Sequence, residues 1–191
     1  MKKWILSAML TLAFAPGISL ADLLIEPGLA YRTGNYSGGT AAQSGKVTGV
    51  GLNARVAYEF PVVFVGLDLS YNFGTSTPDS GSSGDTTAVM AGPVVGASLP
   101  MLPLRFWAAY LFWDYATAKT TSAPAYDLIN SGTGIKIGGG YTIIPMVSIN
   151  LDYIMHTYTK YEDKLLSTTG DLNPKITGSD IMISASIPLS L

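Results

Sequence analysis

Residues 134–158, GIKIGGGYTIIPMVSINLDYIMHTY, constrain the fold more tightly than any other stretch. Read with a period of two, Ile135, Ile137, Tyr141, Val147, Ile149, Leu151 and Tyr153 share one face, while Gly134, Lys136, Gly138, Gly140, Ser148, Asn150, Asp152 and His156 share the other. A very short turn at Ile144-Pro145 joins the halves, so the stretch reads as a β-hairpin with one apolar face and one small or polar face. A turn centred on residue 144 puts Lys136 directly opposite Asp152.

The same alternation recurs along the chain. Leu23, Ile25, Leu29 and Tyr31 form one apolar row, Val50 to Phe60 a second that stops at Pro61, and Val63 to Phe73 a third. The strand over 87–99 contains Pro93, which lacks a ladder donor, so a bulge or bend is expected there. Over 104–115 the aromatics fall on both parities; Trp107, Leu111 and Trp113 are assigned to the apolar face because this leaves Asp114 with the polar residues. The last strand sets Ile181, Ile183, Ala185, Ile187, Leu189 and Leu191 against Asp180, Ser184, Ser186 and Ser190. Eight strands result, of about 10–13 residues each, close to the roughly 9–11 of a tilted membrane-spanning strand. Their connections alternate: 33–46, 75–86, 117–132 and 161–174 are long and rich in Gly, Ser, Thr and Asp, whereas those at Pro61, Pro100 to Pro103 and Pro145 are short.

Alternation alone does not say which face meets solvent, since soluble and transmembrane barrels share the period. Composition decides. Charged residues are 13% of the chain and mean hydropathy is +0.32, against roughly 25% charged in a soluble domain. The polar faces carry Gly, Ala, Ser and Asn with isolated charges, not the dense Lys and Glu of a water-facing wall. Tyr31, Tyr71, Phe73, Trp113 and Tyr153 lie toward the long-loop ends, and Phe60, Trp107 and Tyr141 nearer the short turns, as two lipid-interface belts. The expected fold is therefore all-β, an eight-stranded antiparallel up-and-down transmembrane β-barrel over residues 22–191. Residues 1–21 read as a signal peptide: Lys2 and Lys3, an apolar run over 4–15, then Ser19-Leu20-Ala21 before Asp22. There is no cysteine, and the acidic balance excludes a nucleic-acid partner.

The polar faces would then line a lumen holding Glu26, Arg32, Arg55, Glu59, Asp68, Lys136, Asp152, His156 and Asp180, with Asp114 a further candidate. An eight-stranded interior is about filled by side chains, and buried ions need partners, so these residues are expected to plug the barrel as an ion-pair network. Arg55 and Asp68 stand at nearly equal height above Pro61. Gly138-Gly139-Gly140 has no following Lys-Ser/Thr and is no phosphate loop. One histidine with nearby carboxylates makes a poor metal set, and no cofactor is called for. The loops, with Asp79, Asp85, Glu162, Asp163 and Asp171, offer a surface for a ligand.

With this pattern of leader, alternating strands and turns set against loops, residues 22–191 resemble the small eight-stranded outer-membrane barrels of the OmpX, OmpW and OmpA transmembrane-domain type. The resemblance implies residence in a bacterial outer membrane among its lipids, and a non-enzymatic structural or surface-interaction role in adhesion or envelope integrity. Two alternatives stay open: a narrow OmpW-like channel for small solutes, and a lipid-modifying enzyme. The resembling lipid A deacylases carry a His-x-Ser pair, whereas this chain has His156-Thr157-Tyr158. It also ends in Leu191, where such barrels typically end in an aromatic.

Overall fold

The computed structural model describes residues 22–38, 43–81, 83–99, 102–120, 126–144 and 146–191. The expected signal peptide, and Pro100 and Pro145 of the short turns, lie outside the described residues. Eight long strands follow one another: β1 (Asp22–Ser37), β2 (Gly45–Glu59), β3 (Val63–Pro78), β4 (Gly84–Ser98), β5 (Leu104–Thr120), β6 (Tyr126–Ile144), β7 (Val147–Asp163) and β8 (Thr168–Ser186). A two-residue β9 (Leu189–Ser190) continues β8 beyond Ile187 and Pro188. Each strand pairs antiparallel with the next, and β8 and β9 both pair with β1, so the sheet closes on itself. Closure removes sheet edges and satisfies the ladder without water, which a membrane demands. Leu191 extends the seam, exchanging both backbone hydrogen bonds with Leu23 at 3.0 Å.

Burial follows the pleat, alternating inward and outward along β7 from Ser148 to Ile154. Outward-facing residues include Leu29, Leu52, Leu67, Ile137, Leu151 and Ile183. Tyr31, Tyr71, Phe73, Trp113, Tyr141 and Tyr153 also point out, and Phe60 is half-buried. An apolar surface that encircles the molecule far exceeds what a water-soluble monomer exposes. It is a lipid-facing wall.

Three features depart from the reading of the sequence. First, the strands run well into the stretches whose composition reads as loops. β7 and β8 pair up to Asp163 opposite Thr168, leaving only 164–167 at the tip, where a loop over 161–174 is expected. Beyond the aromatic belt the outward residues become Thr33, Asn35, Lys46, Thr48, Thr75, Thr77 and Thr177, so the barrel wall continues as a polar collar in water.

Second, β5 contains a bulge. Its pairing with β6 shifts between Leu111 and Asp114, and β4 meets the same irregularity opposite 91–94. Phe112 and Trp113 therefore both face outward, while Leu111 before them and Asp114 after them both face the lumen. Trp107, expected at the lipid interface, is only 5% exposed, and Leu111 is likewise buried inside. Pro93 itself sits in unbroken pairing with Leu67 of β3; the extra residue lies on the facing strand, β5.

Third, the β6–β7 register differs by two residues from that expected. Gly138 lies opposite Asp152, and Lys136 opposite Ile154. The turn is centred about one residue later than Ile144, with an irregularity between Thr142 and Ile144, so Lys136 and Asp152 do not face each other.

Candidate functional site: a layered lumen under a vestibule

The lumen is built in three layers, which a strand-by-strand reading makes plain. Ascending from the turns, β7 contributes Asp152, Ile154 and His156; β8 contributes Ser184, Met182 and Asp180; β5 contributes Trp107, Leu111 and Asp114. Two polar layers thus sandwich an apolar one of Ile154, Met182, Leu111 and Met90, all fully buried.

The turn-side layer is an ion-pair lattice. Glu26 accepts from Arg105 Nη2 at 2.7 Å, Arg55 Nη1 at 3.1 Å and Ser186 Oγ at 2.6 Å. Arg55 donates through Nη2 to Asp68 at 3.0 Å, its direct cross-strand neighbour, and Lys136 Nζ donates to the other oxygen of Asp68. The Arg55 guanidinium also lies 4.0 Å from the Trp107 ring centroid, a stacked cation–π contact. Asp152, displaced from Lys136 by the register, accepts from Trp107 Nε1 at 2.6 Å. Glu59 stands apart at the turn-side mouth, half-buried, accepting from Ser98 Oγ at 2.9 Å.

Close approach explains one glycine here. A Cβ on Gly138 would fall well inside contact distance of the Asp152 carboxylate and the Trp107 indole, whereas one on Gly139, which points outward, would meet only the Phe106 ring edge at 3.3 Å. Gly138→Ala is therefore expected to cost about 1–3 kcal/mol by overpacking, and Gly139→Ala far less. Urea midpoints of the two variants refolded in lipid vesicles check the order.

The loop-side layer centres on His156. Its Nδ1 lies 2.6 Å from Asp114 Oδ2 and its Nε2 2.7 Å from Asp180 Oδ2. Arg32 Nε donates to the same Asp180 oxygen, and Tyr158 OH to Asp114 Oδ1 at 3.2 Å. Two ring nitrogens each facing a carboxylate call for two N–H donors, which is the imidazolium form. Charge balance agrees. The lumen buries Arg32, Arg55, Arg105 and Lys136 against Glu26, Asp68, Asp114, Asp152 and Asp180, and a cationic His156 makes five of each sign. Among the described residues both ring nitrogens of His156 are bonded to carboxylates and neither to a serine hydroxyl.

Above this floor opens a vestibule of about 710 Å³ at the loop end, reaching from Arg32, His156 and Asp180 up to Gln43 and Ser80. Tyr158, Leu172 and Ile176 pack together along its wall, with Tyr36, Ala116 and Tyr161 against them.

Arg105, Trp107 and Leu111 are lumen residues that the sequence reading does not place there, whereas Tyr158 lies, as its parity with Asp152 and His156 implies, on the lumen face. Arg105 carried the signal for the first two. It shares parity with Trp107, and a guanidinium facing lipid costs far more than one facing a carboxylate.

No protein-family model and no curated protein matches the chain. Solved structures do. Ail, the attachment invasion locus protein of Yersinia pestis, superposes with a TM-score of 0.56 at 15% identity, covering 89% of this chain and 99% of that one. Neisserial surface protein A superposes with a TM-score of 0.53 at 12% identity, covering 86% and 96%. A second structure of Ail, in complex with the heparin analogue sucrose octasulfate, gives a TM-score of 0.55 at 14% identity over 89% and 99%. The fold is that of the small outer-membrane β-barrels.

Proposed function

We propose that this small eight-stranded outer-membrane barrel is a non-conducting envelope protein that acts through its loop-end face, in surface interaction or envelope integrity, instead of passing solutes. The observation that carries this reading is the layered plug. A solute crossing the lumen would have to part the Glu26–Arg55–Arg105 lattice, the fully buried Leu111, Ile154, Met90 and Met182, and the Asp114–His156–Asp180 bridge in turn. Opening buried ion pairs without new partners costs several kcal/mol per charge. The reading of residues 1–21 as a signal peptide belongs to the same proposal and is supported by Lys2 and Lys3, the apolar run over 4–15 and the small-x-small site Ser19-Leu20-Ala21.

The loop-end chemistry supports a mixed surface. Lys46, Lys119, Lys160, Lys164 and Lys175 alternate there with Asp79, Asp85, Asp127, Glu162, Asp163 and Asp171. A polyanion such as the one Ail binds in its complex would meet six carboxylates against these five ammonium groups. Protein or neutral glycan partners fit this surface better.

The mature barrel reconstituted into planar bilayers is expected to give no current steps above the lipid baseline. Reproducible steps, abolished by a blocker added from the loop side, would replace this reading with the narrow channel.

A further inference from the structure

We propose that the vestibule above His156 is a binding site for a small amphipathic carboxylate, its apolar body held by the tyrosine and aliphatic wall and its head by the Arg32 guanidinium. The inference goes beyond the non-conducting reading and is independent of it, since a ligand held above the floor neither requires passage nor prevents it.

The wall is the first argument. A mouth that only admits water has no reason to be apolar, yet Tyr158, Leu172 and Ile176 are buried together there beneath a polar collar. Leu172 reaches this position through a wide bulge in β8. The β7–β8 pairing passes from Tyr158 opposite Ile176 to Lys160 opposite Asp171, so that 172–175 face the single residue Thr159. Bulges of this kind re-aim side chains; here the effect is an inward leucine flanked by exposed Asn173 and Lys175. At about 710 Å³ the space is that of a small-molecule site, mostly apolar with a few polar groups to fix orientation.

The floor is the second argument. Arg32 is 5% exposed and lines the vestibule. Its Nε is engaged by Asp180, while among the described residues its two Nη nitrogens have no hydrogen-bond partner. That edge opens into the vestibule, and the planar fork of a guanidinium matches a carboxylate in a two-point contact. The neighbouring groups leave that role to the ligand. Both nitrogens of His156 are taken by Asp114 and Asp180, and the Tyr158 hydroxyl donates to Asp114. Among the described residues the other charged side chains lining the vestibule are His156 and Asp180 at the floor, which are bonded to each other, and Asp171 at the rim, whose carboxylate has no such cationic partner beside it and would repel a ligand head seated there.

Titration of the full mature barrel in nanodiscs with octanoate, octanol and octylammonium, each corrected by empty nanodiscs, tests the proposal. Octanoate is expected to saturate one site at least about tenfold more tightly than octanol, because only the acid completes the fork, and octylammonium is expected not to saturate. Ala116→Trp, which sets an indole against Tyr158, Leu172 and Ile176 on the vestibule wall, is expected to weaken octanoate binding at least about tenfold while the barrel keeps its heat-modifiable migration. Arg32→Lys retains the charge beside Asp180 but loses the planar fork, and is expected to narrow the preference for acid over alcohol. No saturation by octanoate, equal affinity for octanol, or unchanged binding to folded Ala116→Trp would each overturn the assignment. The ligand series on the unaltered protein decides the matter even if a variant fails to assemble.

Discussion

Leu151→Lys is expected to lower barrel stability by about 2–4 kcal/mol, and Leu166→Lys to change it by less than about 0.5 kcal/mol. The two leucines are 56% and 72% exposed, so side-chain accessibility alone would rank both as tolerant surface positions. What differs is the solvent. Leu151 lies on β7 between Ile149 and Tyr153, in the apolar band below the loop-side aromatics. Leu166 lies at the tip between β7 and β8, where Asp163 Oδ1 accepts from the backbone N–H groups of Leu165 and Leu166. A Lys at the first position must carry its ammonium into hydrocarbon or snorkel to the headgroups; at the second it enters water. Equilibrium unfolding from lipid vesicles separates the two outcomes. Equal and small effects would mean that the exterior meets water and that the apolar wall faces no lipid. The lumen provides no tolerant control on this strand. Ser148, one might suppose, lies on a forgiving polar face, but it is fully buried with Arg105 Nη2 3.3 Å from its hydroxyl, and a second cation there would repel the first.

How much of this was legible in the sequence depends on whether lipid was there to write it. Where β7 crosses the apolar band, Ile149, Leu151 and Tyr153 must face hydrocarbon, and the period of two is plain. Where the same strand rises into water, Thr157 and Lys160 keep their places in the ladder with no apolar requirement. The alternation fades although the hydrogen bonds do not, and the strand reads as a loop. The β5 error has a different origin. Asp114 and Arg105 both face the lumen, but nine residues separate them, an odd number that no regular pleat can reconcile. Phasing the strand from Asp114 sent Trp107 to the lipid; phasing it from Arg105 would have sent Asp114 there. The conflict between two charges was itself the mark of the bulge at Phe112 and Trp113. Likewise, the β6–β7 register turned on one residue of turn placement, and that displacement is what gives Asp152 to Trp107 and Lys136 to Asp68. The pairing of Arg55 with Asp68 across Pro61 was readable because β2 and β3 run from their turn without any irregularity.

Glu26→Gln is expected to cost about 3–5 kcal/mol, the effect of removing one member of a buried, hydrogen-bonded ion cluster. Glu26 is 2% exposed and binds both Arg55 and Arg105. Its loss leaves Arg55, Arg105 and Lys136 facing only Asp68 and Asp152 in the turn-side layer, and a Gln amide turns an N–H₂ toward one of the guanidinium groups it replaces an acceptor for. Adding Arg105→Met restores charge balance. The double variant should therefore be less destabilised than the sum of the single ones by about 0.5–3 kcal/mol, the range seen for directly interacting groups. Glu59→Gln is the matched control, since Glu59 is half-exposed at the mouth and among the described residues bonds only to Ser98 and Ser190, and its cost should stay below about 1 kcal/mol. Additive losses for Glu26 and Arg105 would mean that the two charges act separately, through water, and that the lattice is no plug. Coupling of the expected sign would tie the stability of the barrel to the same contacts that close its lumen. A protein that derives its stability from a sealed interior cannot open that interior for transport without unfolding part of itself, which is the physical ground for the proposal that it acts through its loop-end face.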